Sequence, residues 1–327
     1  MKTILNIILV VIFTSCSNKA TTKKIKGEII LSKNRSSYFY DMKINESYYI
    51  FLDDKSDTVM HVYNKNDLST PFLCIHNRSN EINLINPFFT KEVYSNESKD
   101  TITIIDNHTY IKKIYISNSN LHLHSSIFVN NLTRSFDYNL TSKELYAAPF
   151  FREKCYPFYY FNQKEKYYWV DPSDLVKKIL PNIPSAYIAN ICVNEENNTV
   201  VISYRFSNII SFYDLKGNLK NTIQIGENPV MPYIENNQIE MKKSIKCFIS
   251  IAGTRQYVYC LYNGASDFSI NSTVYVLNWD GKHITTWETD RNLRAISISK
   301  NNDTMLGISS HEERGQDIIS YSIKNKL

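Results

Sequence analysis

The segment Arg255–Glu288, RQYVYCLYNGASDFSINSTVYVLNWDGKHITTWE, contains the pattern that recurs along this chain. Its runs Tyr257–Tyr262, Thr273–Asn278 and His283–Glu288 are rich in β-branched and aromatic residues and are separated by Asn, Gly, Asp and Ser, which favours strands joined by turns. Trp279–Lys282 suits a tight turn, because Asp and Gly tolerate the left-handed backbone of a short hairpin. The segment is therefore predicted to form a small antiparallel sheet.

Related units occur elsewhere in the chain. The same pattern of a short strand, a polar turn, a threonine and another strand is found at Ile191–Ser203 and at Ile296–Ile308. A further copy is Ile249–Tyr259. The copies are about fifty residues apart, which is the spacing of propeller blades. Hairpins that match the outer half of the unit lie at Tyr48–Tyr63 and Ile209–Ile225. Because one sheet cannot cover both of its faces, the units are predicted to stack in a ring.

The predicted fold is all-β, a six-bladed β-propeller of four-stranded antiparallel blades; five or seven blades remain open alternatives. An additional strand at Lys26–Leu31 is expected to pair with the last blade, because this closes the ring and removes an exposed edge. Within the third blade, the run Asp171–Ile179, with Pro172 early and Asp171 or Ser173 as a cap, predicts a turn or two of helix. The predicted blades span residues 38–75, 85–118, 120–180, 185–228, 243–289 and 293–323.

The N-terminus has the pattern of a bacterial export signal. The apolar run Ile4–Phe13, broken by Asn6, follows a charged start and precedes small residues and Cys16. This run is too short to span a bilayer permanently, so residues 1–15 are predicted to be a signal peptide that is removed. The position of Cys16 resembles the lipobox cysteine of bacterial lipoproteins, which is acylated, although Phe13 replaces the usual aliphatic residue. The alternative is a plain signal peptide with an incidental cysteine.

The predicted organisation is a signal peptide at 1–15, an acylated Cys16 with a polar tether at 16–26, and a propeller domain at 27–327. Several acyl chains hold a protein at a bilayer without a spanning helix. The protein is thus expected in the cell envelope, lipid-anchored to the outer membrane. Whether it faces the periplasm or the cell surface is left open.

Several repeat segments also carry a family resemblance: YVYCLYNG at 257–264, STVYVLNWDGKH at 272–283 and LRAISISKNNDTMLGIS at 293–309. Together with the lipoprotein start, they resemble the TolB-like six-bladed propeller lipoproteins of Bacteroidetes. The resemblance extends from about residue 28 to the C-terminus, within blade-sized repeats. It implies the propeller fold and the lipid anchor, and it implies no particular chemistry.

The remaining patterns argue against several functional classes. The net charge of +5 is diffuse, so nucleic acid is not an expected partner. The chain has no nucleophile elbow, glycine-rich phosphate loop or zinc motif, so neither a cofactor nor an enzymatic activity is expected. His122 and His124 could share one face of a strand, but a third metal ligand is not evident, and a solvent-facing pair is the favoured interpretation.

The candidate binding residues lie in loops that meet at one mouth of the central channel, because loops between second and third strands emerge beside the links between blades. They give the mouth a basic and amide character that suits carboxylates, sugars or a polar protein surface. A further candidate, Arg152, lies in the aromatic run Pro149–Tyr160, for which packing between blades is favoured over recognition. The mouth candidates are Arg205, Asn263, Arg291, Arg294 and His311.

The favoured function is a non-enzymatic binding module, a monomer anchored to the membrane through its N-terminal lipid, that recognises an envelope protein or glycan. The alternative is a propeller hydrolase or lyase, in which His311 with Glu312 or Glu313 works near a bound cation and Asp53–Asp57 supplies carboxylates. A structural subunit that packs through its blade edges is a third possibility.

Overall fold

The computed structural model of the protein describes residues 21–76, 82–91, 93, 101–117, 120–129, 135–149, 155–162, 166–311 and 315–327. In these residues, six sheets of at least four strands, the blades, are arranged in a ring. The inner strand of each blade contacts the inner strands of both neighbouring blades. Helical structure is limited to α1 (Asp174–Ile179) and a 3-10 turn at Pro184–Tyr187. The protein is a six-bladed β-propeller, as the repeats predict.

Two strands precede the first blade, β1 (Thr21–Ile25) and β2 (Glu28–Lys33). In each blade the first strand lines the channel. In the first half of the ring, blade 1 contains β3 (Phe39–Ile44), β4 (Tyr48–Asp53), β5 (Thr58–Asn64) and β6 (Leu73–His76). Blade 2 contains β7 (Pro87–Phe89), β8 (Thr101–Asp106), β9 (Tyr110–Ile116) and β10 (Leu121–Phe128). Blade 3 contains β11 (Ser135–Leu140), β12 (Glu144–Pro149), β13 (Phe158–Asn162) and β14 (Tyr167–Val170).

The second half of the ring is the more regular one, and a short hairpin, β19 (Ile234–Glu235) with β20 (Gln238–Ile239), lies in the link between blades 4 and 5. Blade 4 of this half contains β15 (Ala189–Asn194), β16 (Thr199–Tyr204), β17 (Ile209–Tyr213) and β18 (Leu219–Gln224). Blade 5 contains β21 (Lys246–Gly253), β22 (Tyr257–Ala265), β23 (Thr273–Asn278) and β24 (His283–Thr289). Blade 6 contains β25 (Ala295–Ile298), β26 (Thr304–His311) and β27 (Gly315–Ser322).

The N-terminal strands complete the ring. β2 pairs antiparallel with β27 and becomes the outer strand of blade 6, which confirms the predicted closure. β1 adds to blade 5 by pairing parallel with β24; the sequence analysis assigns this segment to the tether. At the junction of blades 6 and 1, Gln316 bonds both backbone groups of Phe39: Phe39 N–H donates to Oε1 (2.6 Å), and Nε2 donates to the Phe39 carbonyl (2.9 Å).

The hydrophobic core is divided among the seams between blades, and each of the six clusters of buried side chains fills one seam. In the aromatic run, Phe158 packs towards blade 4, with its ring 5.2 Å from that of Tyr213, while the buried Tyr159 belongs to the cluster between blades 2 and 3. Adjacent residues of a strand thus fill opposite seams. Packing explains these two rings.

The predicted boundary of the third blade is wrong. β10, placed in blade 3 by the sequence analysis, pairs with β9 and is the outer strand of blade 2. Most of its side chains after Leu121 are exposed, so its sequence lacks the alternation that marks a half-buried strand. The predicted helical segment is confirmed as α1, and Ser173 caps it by accepting a hydrogen bond from Val176 N–H at 3.3 Å.

We expect Gln316→Met to lower the free energy of unfolding by about 1–3 kcal/mol, because it leaves the buried N–H and C=O of Phe39 without their partner. Denaturant titration followed by tryptophan fluorescence measures this change. The matched control is Gln238→Met, on the exposed face of the β19–β20 hairpin. Equal stability of the two variants would contradict the role assigned to Gln316.

Candidate functional site

One mouth of the channel, here called the upper mouth, is built by segments 205–208, 266–272 and 290–294. The first two join the second and third strands of blades 4 and 5, and the last links blades 5 and 6. Backbone and amide contacts hold them together: Cys247 N–H donates to the Arg205 carbonyl (2.7 Å), and Asn292 Nδ2 donates to the Phe268 carbonyl (2.7 Å). The predicted convergence of loops is therefore present for these three blades.

Three cationic side chains, Arg205, Lys246 and Arg294, lie near one another at the upper mouth, and two of them contact Phe268; the three are here called the basic cluster. The guanidinium carbon of Arg294 lies 3.6 Å from the Phe268 ring centroid, and Lys246 Nζ lies 5.9 Å from it. These distances are those of cation–π contacts. The aromatic ring thus holds like charges close together.

The surroundings of the basic cluster disfavour the charged forms of Arg205 and Lys246. Burial and then the nearby Arg294 lower the pKa of Arg205 to about 10. Burial, followed by repulsion from Arg205, also lowers the pKa of Lys246, although the carboxylates of Asp267 and Glu240 oppose this shift. Arg205 remains charged at neutral pH, so an added carboxylate would relieve repulsion as well as accept hydrogen bonds.

Lys246 also has a structural role. Its Nζ donates to the backbone carbonyls of Met241 and Ser266, which ties the link between blades 4 and 5 to the loop that carries Phe268. Sequence analysis missed Lys246 and Phe268. The available signal was weak: Lys246 directly precedes a buried apolar run, and Phe268 is an aromatic residue within a polar loop.

The other predicted site residues have local partners. Asn263 is only 2% exposed; its Oδ1 accepts from Ala265 N–H (3.1 Å), so this amide shapes the loop. Arg291 Nε lies 4.0 Å from Asp290 Oδ2. His311 ends β26, and its Nε2 lies 3.1 Å from Asp317 Oδ2. Arg152, Glu312, Glu313 and Cys16 lie outside the described residues. A binding role for each predicted residue stays a prediction.

The acidic loop after β4 is organised around the buried Asp53. Its Oδ1 accepts hydrogen bonds from Tyr38 N–H (2.8 Å) and Lys55 N–H (2.9 Å), and Ser37 donates to Oδ2. Burial would raise the pKa of Asp53, but contacts with His61, which lies 3.5 Å away, Ser37 and the backbone hold it below its usual range. This carboxylate is thus largely engaged in fixing its own loop.

No group of three or more potential metal ligands occurs among the described residues. His122 and His124 are both exposed on β10. In the same part of the chain, no helix has the length and apolar character needed to cross a membrane.

Comparisons with known proteins concern the fold. No family model matches the sequence, and no curated protein matches it. A member of the DUF4221 family from Bacteroides vulgatus has a similar structure, with a TM-score of 0.57 and 11% identity over 92% of this chain and 99% of that one. Raptor from Chaetomium thermophilum has a TM-score of 0.50 and 10% identity over 92% of this chain and 29% of its own.

BamB from Moraxella catarrhalis also matches, with a TM-score of 0.37 and 11% identity over 87% of this chain and 70% of that chain. At these identities, structural likeness bears on the fold alone. The upper mouth and the N-terminal sequence are the features of this chain that bear on its function.

In Arg205→Met, we expect the pKa of Lys246 to rise towards its ordinary value, because removal of a positive neighbour removes repulsion that disfavours the charged amine. NMR titration of the lysine side-chain resonances measures the shift. Arg255→Met is the control, since Arg255 follows β21 at the opposite end of the channel. An unchanged Lys246 pKa in Arg205→Met would contradict the coupling within the basic cluster.

Proposed function

We propose that this protein is a TolB-like lipoprotein of the cell envelope, whose propeller is a non-enzymatic binding module for a carboxylate-bearing envelope protein or glycan. The basic cluster is the observation that carries the proposal. It places Lys246 and Arg294 against the Phe268 ring at a channel mouth, with Arg205 close enough for Arg294 to lower its pKa. Arginine beside an aromatic face is the arrangement that interfaces use to bind carboxylates.

Rigid blades support this role. The loops of the upper mouth are attached to strands whose side chains are almost all buried in blades 4 and 5, so the basic cluster is held in place before a partner arrives. A preorganised, partly desolvated cation binds a carboxylate more strongly than a mobile surface lysine does. The alternative hydrolase or lyase needs further carboxylates near His311 besides Asp317, and Asp53 is largely engaged by its own loop.

The N-terminal sequence supports the anchor. A charged start, the apolar run Ile4–Phe13 and small residues before Cys16 fit an acylated lipoprotein exported to the outer membrane. Membrane attachment through a flexible lipid would leave the ring exposed to partners in the envelope.

We expect the double variant Arg205→Glu, Arg294→Glu to bind poly-L-glutamate and polygalacturonate at least about thirtyfold more weakly than the unmodified protein does, which corresponds to about 2 kcal/mol. Biolayer interferometry at low and at physiological salt measures this, because screening should weaken binding of the unmodified protein. Poly-L-glutamate represents an acidic protein surface, and polygalacturonate represents an acidic glycan. Binding that survives the double reversal would contradict a role for the basic cluster.

The control for this experiment is Arg255→Glu, which reverses a charge at the other end of the channel. Because Arg205 is largely enclosed by protein, the single variant Arg294→Gln is tested as well, and thermal unfolding verifies that each variant is folded. Weakening by Arg294→Gln without loss of stability supports the proposal independently of Arg205.

In Cys16→Ala, we expect the protein to move from the membrane fraction to the soluble envelope fraction, because the acylated thiol is lost. Fractionation with immunoblotting measures the distribution. Cys74→Ala, which removes an exposed thiol of β6, is the matched control and should stay at the membrane. If Cys16→Ala also stays there, the anchor is not this cysteine.

A further inference from the structure

A cavity of about 280 Å³ occupies the half of the channel opposite the upper mouth. It is bounded by β3, β21 and β25 and by residues 89–91 and 93, and its opening is formed where β21 and β25 end, beside Arg255 and Lys300. Its size is near the lower end of the range for small-molecule pockets, about 300–1,000 Å³. We call it the lower channel.

The floor of the lower channel carries an unbalanced set of charges. Lys91 Nζ forms an ion pair with Asp137 Oδ2 at 2.9 Å, and only 22% and 7% of these side chains are exposed. Beside this pair, Asp41 accepts hydrogen bonds from Met42 N–H (2.9 Å) and Phe89 N–H (3.1 Å). Within the described residues, no cation lies within ion-pair distance of Asp41. Two carboxylates therefore share one ammonium.

The protonation of these groups follows from their surroundings. Burial raises the pKa of Asp41 to about 6, and the Lys91 charge only partly opposes this. Burial would lower the pKa of Lys91, but Asp137 and Asp41 together raise it, so the ammonium stays charged. Burial raises the pKa of Asp137 as well. Once both carboxylates are ionised, the described residues of the floor carry one net negative charge, and a second cation would be stabilised there.

The walls and the rim have a different character. The walls are apolar, with Ile44, Ile251 and Ile298 facing the cavity. At the rim, the lining includes Lys43 and Lys300, and Lys43 Nζ donates to the Thr90 carbonyl at 3.4 Å. The pocket is thus negative at its floor, apolar along its walls and positive at its rim.

We propose that the lower channel binds a short apolar peptide as a zwitterion, with its ammonium at Asp41 and its carboxylate at Lys43 and Lys300. The spacing agrees with this ligand. Asp41 and Lys43 are two residues apart on β3, which separates their Cα atoms by about 6.7 Å along a strand. The charged ends of an extended dipeptide are a similar distance apart, at about 3.3–3.6 Å per residue.

This site is separate from the basic cluster and uses other residues. Asp41 and Asp137 also join neighbouring blades through backbone N–H groups, so a purely structural role is the alternative explanation. That role accounts for hydrogen bonds between blades. It does not account for the apolar cavity beside them or for the lysines at its rim.

The test is isothermal titration calorimetry of the full folded propeller with L-leucyl-L-leucine, its N-acetyl derivative and its amide. We expect the dipeptide to bind, and each modified peptide to bind at least tenfold more weakly, because one loses the ammonium and the other the carboxylate. Equal affinity for the N-acetyl derivative, or no binding of the dipeptide at millimolar concentration, would overturn the proposal.

Two variants locate the site. Lys300→Ala removes an exposed rim charge and should weaken dipeptide binding several-fold, whereas Lys282→Ala, an exposed lysine of the turn between β23 and β24, should not. Asp41→Asn should abolish binding, provided that thermal unfolding shows the variant to be folded. Equal binding by Lys300→Ala and Lys282→Ala would place the peptide elsewhere.

The double variant Arg205→Glu, Arg294→Glu should retain dipeptide binding, which separates this test from that of the upper mouth.

The pH dependence gives an independent readout. Dipeptide binding should strengthen as the pH rises through about 6, because Asp41 ionises there. Among the described residues, the other groups facing or adjoining the floor and rim are Lys43, Lys91, Asp137, Cys192, Arg255 and Lys300. Burial raises the pKa of the Cys192 thiol to about 12, so this thiol stays neutral in the same range. A flat profile between pH 5 and 7, the interval around that value, would contradict the role of Asp41.

Discussion

The ring depends on polar side chains of inner strands that bond to the backbone of the next inner strand. Inner strands of different blades form no ladder with one another, so buried N–H and C=O groups facing the seam need other partners. An unsatisfied buried group costs about 1–3 kcal/mol, which makes each such bond a condition for closure. The bonds are from Phe89 N–H to Asp41, from Ile191 N–H to Asp137, from Asn190 Nδ2 to the Phe248 carbonyl, from Ile296 N–H to Ser250 and from Ile44 N–H to Ser297.

Most of these bonds use neutral groups, but the seam between blades 1 and 2 and the seam between blades 3 and 4 use carboxylates. Asp137 accepts from Ile191 N–H in blade 4 and also pairs with Lys91, which follows the inner strand of blade 2. One carboxylate therefore connects three blades, and Lys91 compensates its charge. A buried ion pair stabilises little by itself, because desolvation offsets the attraction. The charges of the lower channel thus follow from how the blades are joined, and any ligand there must match them.

Local sequence patterns predicted the blades because each blade is a set of consecutive hairpins. They also predicted closure by β2, since an unpaired strand before the first blade has few other places to go. The patterns did not predict that β1 pairs with β24, a contact across most of the chain. Nor did they identify Lys246 and Phe268, because the basic cluster is assembled from separate loops. Contacts within a hairpin leave a local signature, whereas contacts between loops do not.

The basic cluster is costly to the fold. Burial, and then repulsion from neighbouring cations of the cluster, lowers the pKa values of Arg205 and Lys246, and such a shift means that the folded state disfavours their charged forms. Packing alone would be served as well by apolar side chains, which bring no repulsion. Local conflicts with stability concentrate at functional sites. Lys246 has a structural reason to be cationic, because it donates to two backbone carbonyls. Arg294, stacked on Phe268, adds to the repulsion that lowers the pKa of Arg205, and under the proposed function a negatively charged partner would offset this repulsion.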